Sequence, residues 1–171
     1  CTSIFLGVES GSSKTLDFLN RKYTSDDVIK VTTLCKNLGL HTITAFIIGL
    51  PGETLVTVQK SIDYAVQSNL DTASFFVALP LPGSQLFEKM EKDGQKIDFN
   101  ELRLLTTKVK TSKLPLAEIA RLRKKAMLTF VFYRLIREIN PISIYYRARQ
   151  LFFLGPRFYW QVCQRFIKIM S

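Results

Sequence analysis

Cysteine is scarce in this chain and poorly spaced for any framework: there are three in 171 residues, Cys1, Cys35 and Cys163. No two lie close enough to form a metal-ligand pair, and a scattered odd set excludes a disulfide scaffold, so reduced thiols in a cytoplasmic protein are expected. Histidine is scarcer, with His41 alone near the start of an apolar run; a lone imidazole without partners reads as structural rather than catalytic. Nothing reaches the about 18 consecutive apolar residues that a membrane-spanning helix needs, and no secretory leader pattern is visible. Acidic residues are nearly missing from one end. Residues 1–100 hold nine Lys/Arg against eleven Asp/Glu and residues 101–171 hold fifteen against three, so the net charge of +10 belongs to the tail.

What is present is a repeating unit. Ser3 to Val8 is a short apolar run ended by Gly and Ser, and reads as a buried strand. Ser12 or Ser13 caps a short helix with Leu16 and Leu19, and Thr24 or Ser25 caps a longer one in which Val28, Val31, Cys35 and Leu38 recur at helical spacing before Gly39. Leu40 to Ile48 is a β-branched and aromatic strand. Leu55, Val58, Ile62 and Val66 mark a further helix, Thr72 to Leu79 a third strand, and Ser84 to Glu91 a helix that stops at Asp93-Gly94. Strands alternating with helices of this length predict parallel pairing through right-handed crossovers. The apolar runs agree, because parallel strands are covered on both faces.

Three strand ends then share one design: GVESGS at 7–12, GLPGET at 49–54 and LPLPGS at 79–84. In a parallel sheet these ends emerge side by side on the edge where ligands bind. Glu9 and Ser10 can point from a tight turn towards ligand hydroxyl or amino groups, or satisfy nearby backbone donors instead. Gly49 lets a flat ring approach the backbone of Ile47 and Ile48. Glu53 opens the next helix, where its charge suits the dipole, and is expected to be architectural. Pro80 and Pro82 stiffen an extended segment.

FLGVESGS, TAFIIGLPGET and FFVALPLPGS, in that order over residues 1 to about 95, resemble the second half of the core of radical S-adenosylmethionine (SAM) enzymes, particularly the subgroup that often carries a cobalamin-binding domain. The resemblance implies an α/β fold: half of a partial (β/α)6 TIM-like barrel with three parallel strands, its fourth to sixth, in residues 1–100, followed by a basic, aromatic-rich helical extension in 101–171. It implies that Glu9 and Ser10 contact the ribose or amino acid end of SAM. Backbone around Ile47, Ile48 and Gly49 would hold the adenine, with apolar contact from Ala78 and Leu79. The family often has Gly where this chain has Ala45, and Glu53 sits one residue later than the common spacing.

The family's cluster-binding CxxxCxxC motif is absent, since iron–sulfur clusters need thiolates at defined spacing; the glycine-rich methionine-binding segment of the second strand is absent too. By the resemblance, the 4Fe-4S cluster and any cobalamin belong to the full-length protein only, a methyltransferase, cyclase or similar enzyme, and this chain is expected to be its C-terminal fragment, inactive alone. Its first partner is then the missing N-terminal half. Without that half the Ser3–Val8 strand has an unpaired edge, through which the chain would dimerise, be covered by its own tail, or aggregate.

The tail predicts helices from Pro115 to Ile139, Pro141 to Leu154 and Arg157 to Met170, and it holds eleven of the twenty aromatic residues interleaved with Arg. Packing on the barrel or the missing half is the first reading of this composition. Contact with an anionic membrane surface, which would make the protein peripheral to a membrane, is the second. Nucleic-acid binding is third and least favoured. Arg121, Arg123, Lys124 and Lys125 spread around their helix and form no stripe. A rival to the enzyme reading is a noncatalytic lipid- or nucleic-acid-associating module on an inactive half barrel.

Overall fold

A computed structural model describes residues 1–105 and 109–138. Three strands, β1 (Ser3–Glu9), β2 (His41–Ile48) and β3 (Thr72–Val77), form one sheet in the order β1-β2-β3, and both pairings are parallel. Between and after them run α1 (Ser13–Phe18), α2 (Ser25–Asn37), α3 (Leu55–Gln67), α4 (Gln85–Lys92), a single 3-10 turn at Phe99–Glu101, and α5 (Leu116–Glu138). The fold is α/β, as the alternation predicts, and three such units amount to half of a six-unit barrel.

Local chemistry sets the boundaries. Thr24 caps α2 in a reciprocal box: its hydroxyl accepts from the Asp27 N–H, and the Asp27 carboxylate accepts from the Thr24 N–H. Thr54 and Thr57 close the same kind of box on α3, and the Ser84 hydroxyl accepts from the Phe87 N–H on α4. Gly39 takes a φ of 68° just after α2, a conformation that favours glycine and ends the helix.

Strand alternation divides the sheet into two unlike faces. One carries Val8, Phe46, Ile48, Phe75 and Val77, all buried, and it packs against Val58, Ile62 and Ala65 of α3. Phe46 stacks on Phe75 with ring centroids 5.1 Å apart. Ile119, Leu122, Ala126 and Phe130 of α5 join this core, which accords with a compact unit running from Cys1 to Phe130; the described residues from Val131 to Glu138 belong to a second unit. The opposite face carries Phe5, Gly7, Ala45, Ile47, Ser74 and Phe76, with Phe5 paired to Ile43, Gly7 to Ala45, and Ile47 to Phe76.

Two expectations shift. β3 ends at Val77 rather than Leu79, although the Ala78 N–H still donates to the Ile48 carbonyl at 2.8 Å. The apolar positions of α2 split: Thr32 and Cys35 are buried, while Val31, Leu34 and Leu38 are exposed at spacings of three and four and form an outward stripe. The helices expected at 141–154 and 157–170, and with them the lipid and nucleic-acid readings of the tail, lie outside the described residues. Among the described residues no helix is long and apolar enough to cross a membrane.

Candidate functional site at the strand tips

The β1 tip is the most tightly organised. The pairing register slips between Gly7 and Glu9, and Glu9 adopts a φ of 58°, a left-handed conformation uncommon for a non-glycine residue and costly unless its surroundings impose it. The surroundings are visible. Tyr23 donates its hydroxyl to the carbonyls of Gly7 and Val8 at 2.9 and 3.0 Å, and Arg21 Nη2 donates to Glu9 Oε1 at 2.8 Å. The Glu9 carboxylate folds back over Gly7, where a Cβ would stand 3.0 Å from Oε1. Burial, and then the negative charge of Glu9, raise the pKa of Tyr23, so its hydroxyl remains a donor.

Ser10 turns the other way. It is buried, its Oγ lies 2.9 Å from Ser61 Oγ on α3, and it accepts from the Ser12 N–H at 3.1 Å. Gly11 is pressed against α3 as well, since a Cβ there would meet Tyr64 Cβ at 2.6 Å and the Lys60 carbonyl oxygen at 2.8 Å.

The β2 tip is held by Glu53. Its Oε2 accepts from the N–H groups of Gly49 at 2.7 Å and Leu50 at 3.0 Å, which closes the GLPGE turn. Its Oε1 is buried with no hydrogen-bond partner among the described residues. Burial raises its pKa to about 7, against the two backbone donors that pull it down. Gly49 has a φ of 90°, its carbonyl accepts from Thr111 Oγ1 at 2.6 Å, and the place of its missing side chain is taken by Ile119. Thr111 thus fastens the segment after α4 to the β2 tip, and Leu104 of the same segment accepts from the Val77 N–H at 3.0 Å.

Over the open face of the sheet lies a mostly apolar cavity of about 540 Å³, within the ~300–1,000 Å³ usual for small-molecule sites. Of the residues singled out in the sequence, Glu9, Ile47, Ala78 and Leu79 line it together. Ser10 and Ile48 point into the helix-covered side, and Gly49 faces Ile119 and Thr111. Residues that sequence reasoning did not mark also line it, among them Phe18 from α1, Leu81, Leu86 and Lys89 around α4, and Leu104. Strand alternation through Ala45 and Ile47 was the signal for the floor; nothing in the local sequence announces that Leu104 returns over it.

The residues suit one expected cofactor and not the other. The apolar lining shared by Ile47, Ala78 and Leu79, with the Glu9 carboxylate in the same cavity, could hold an adenosyl group. Among the described residues no group of three His, Cys, Asp or Glu could hold a metal ion; Cys1 is exposed and Cys35 buried. These residues do not make a 4Fe-4S site.

Residues 1–65 match the Radical SAM superfamily. The chain is 30% identical over 132 residues to an uncharacterized methyltransferase of Pyrococcus horikoshii, covering 76% of this chain and 29% of that protein. It is 28% identical over 116 residues to an anaerobic magnesium-protoporphyrin IX monomethyl ester cyclase of Rubrivivax gelatinosus, covering 68% and 21%. A solved structure of archaeal Methanocaldococcus infernus Elp3 with an N-terminal deletion is similar at 21% identity and a TM-score of 0.47, over 82% of this chain and 28% of that one. The family match and the curated relatives assign residues 1–65 to the radical SAM family, whose members use SAM and a 4Fe-4S cluster. The chain spans less than a third of the length of these relatives.

Proposed function

We propose that this chain is the carboxyl-terminal part of a radical SAM enzyme barrel, contributing one wall of the SAM site and the substrate side of the barrel, and inactive without the cluster-bearing part. The cavity at the carboxyl ends of three parallel strands carries the reading, because an apolar lining and an oriented carboxylate meet there. Ile47 and Ala78 would flank the adenine. Glu9, held by Arg21 and by the backward fold over Gly7, would accept hydrogen bonds from the ribose hydroxyls or the amino group. In the assembled enzyme SAM and the cluster supply radical chemistry; the described residues bind and orient the nucleoside and, through Phe18, Leu79 and Leu104, keep water from it.

Two surfaces support the incompleteness. Among the described residues no strand pairs with the outer edge of β1, and the α2 stripe of Val31, Leu34 and Leu38 faces outward. A preceding β/α unit would cover both.

Calorimetric titration of the chain with SAM tests the proposal. Binding is expected to weaken about tenfold or more in Ile47→Glu, which places a charge in the apolar slot, and by a smaller factor in Glu9→Ala. Native affinity in Ile47→Glu would overturn the assignment.

A further inference from the structure

We infer that the α4 end of the cavity recognises a small amphiphile bearing one anionic oxygen group, a carboxylate on an apolar body, as the ligand beside the nucleoside. The inference rests on the reading that SAM takes the strand-tip end, and it names what fills the remainder. Gln85 and Lys89 lie one helical turn apart on α4, so with Leu86 they present a common face to the cavity. Leu81 and Leu104 complete an apolar wall around them.

Charge decides the class of ligand. Among the described residues that line the cavity, Lys89 is the only lysine or arginine and Glu9 the only acid. Glu9 is already matched by Arg21 at 2.8 Å. The Lys89 ammonium makes no ion pair or hydrogen bond with the described residues, and Glu88 and Glu91 lie on other sides of the helix, since each residue advances the direction by about 100°. Among the described residues the uncompensated charge at the cavity is therefore positive and sits at its α4 end. A cationic ligand would be repelled there and a neutral one would gain nothing from Lys89. An anionic group gains a charge-assisted bond beside an apolar wall and a second donor from the Gln85 amide.

Decanoate and decanol share an apolar body and differ in charge, so methyl NMR titration of the chain with each, below micellar concentrations, is the test. Both are expected to shift the methyl signals of Leu81, Leu86 and Leu104, with decanoate binding about fivefold tighter. Lys89→Met should remove that preference and leave decanol affinity within about twofold, and Lys89→Arg should keep it. Equal affinities in the native chain, an equal loss of both ligands in Lys89→Met, or shifts confined to other methyl groups would overturn the inference. Titration with 5′-methylthioadenosine, read at Ala45, Ile47 and Ala78, separates it from the nucleoside assignment. Failure of the nucleoside with a Lys89-dependent decanoate response removes that assignment and leaves the anion subsite; the reverse result removes the subsite alone.

Discussion

The tips of β1 and β2 carry a similar residue set, glycines around a single glutamate, and put it to opposite uses. At β1 the acid faces the cavity: Glu9 is held from outside by an exposed arginine and forced into a left-handed conformation. At β2 the acid faces the protein, where Glu53 ties down the N–H groups of Gly49 and Leu50 and leaves one oxygen buried and without a partner among the described residues. Like motifs at neighbouring strand ends do not imply like roles. What separates them is where the chain goes next: after a one-residue slip at the end of β1, Ser10 and Gly11 turn towards α3, whereas after β2 the Pro51-Gly52 turn returns Glu53 beneath its own strand end.

The contrast can be tested by breaking each tip. The largest effect is expected from Gly11→Ala, because its Cβ would overlap the backbone of α3; chemical denaturation should show a loss of about 3 kcal/mol or more. Ser10 and Ser61 share that seam, so the same variant should also perturb the β1 tip.

Next comes Glu53. Its folded pKa of about 7 stands above the ordinary 4.5, so the folded state binds the proton more tightly than the unfolded chain. The associated stability is fully present below pH 4.5 and is lost as pH rises to about 7, a fall of up to about 3 kcal/mol. Denaturation midpoints measured across that range should decline in the native chain. In Glu53→Gln, where nothing titrates, the decline should flatten; a slope equal to the native one would show that Glu53 is not its source.

The smallest stability effect belongs to the other glutamate. Arg21→Met removes an ion pair whose arginine is half exposed and should cost under about 1 kcal/mol, yet by freeing the Glu9 carboxylate it should weaken nucleoside binding several-fold. A variant that lost stability and kept affinity would reverse the contrast between the tips.

Much of this arrangement was legible in the sequence, for physical reasons. The caps at Thr24, one of two candidates, and Ser84 and the strand ending at Ile48 depend on neighbours within a few residues, and they stand where expected. The architectural part of Glu53 was readable from its place before α3, though not its grip on Gly49. What escaped depends on distant chain. Ser10 turns inward because Ser61, 51 residues on, offers a hydroxyl. Gly49 faces Ile119 and Thr111 instead of open space, because the segment after α4 crosses back over β2. The α2 positions share helical spacing, but only the sheet's location distinguishes Cys35, which it covers, from Leu38, which it does not.

Photolabelling the chain with 8-azidoadenosine and mapping the modified peptides tests the nucleoside slot most directly. The account predicts labels in 45–51 and 76–81, the two sides of the slot, and their suppression by excess SAM. Labels scattered over the surface, or concentrated on α2 and unaffected by SAM, would contradict it.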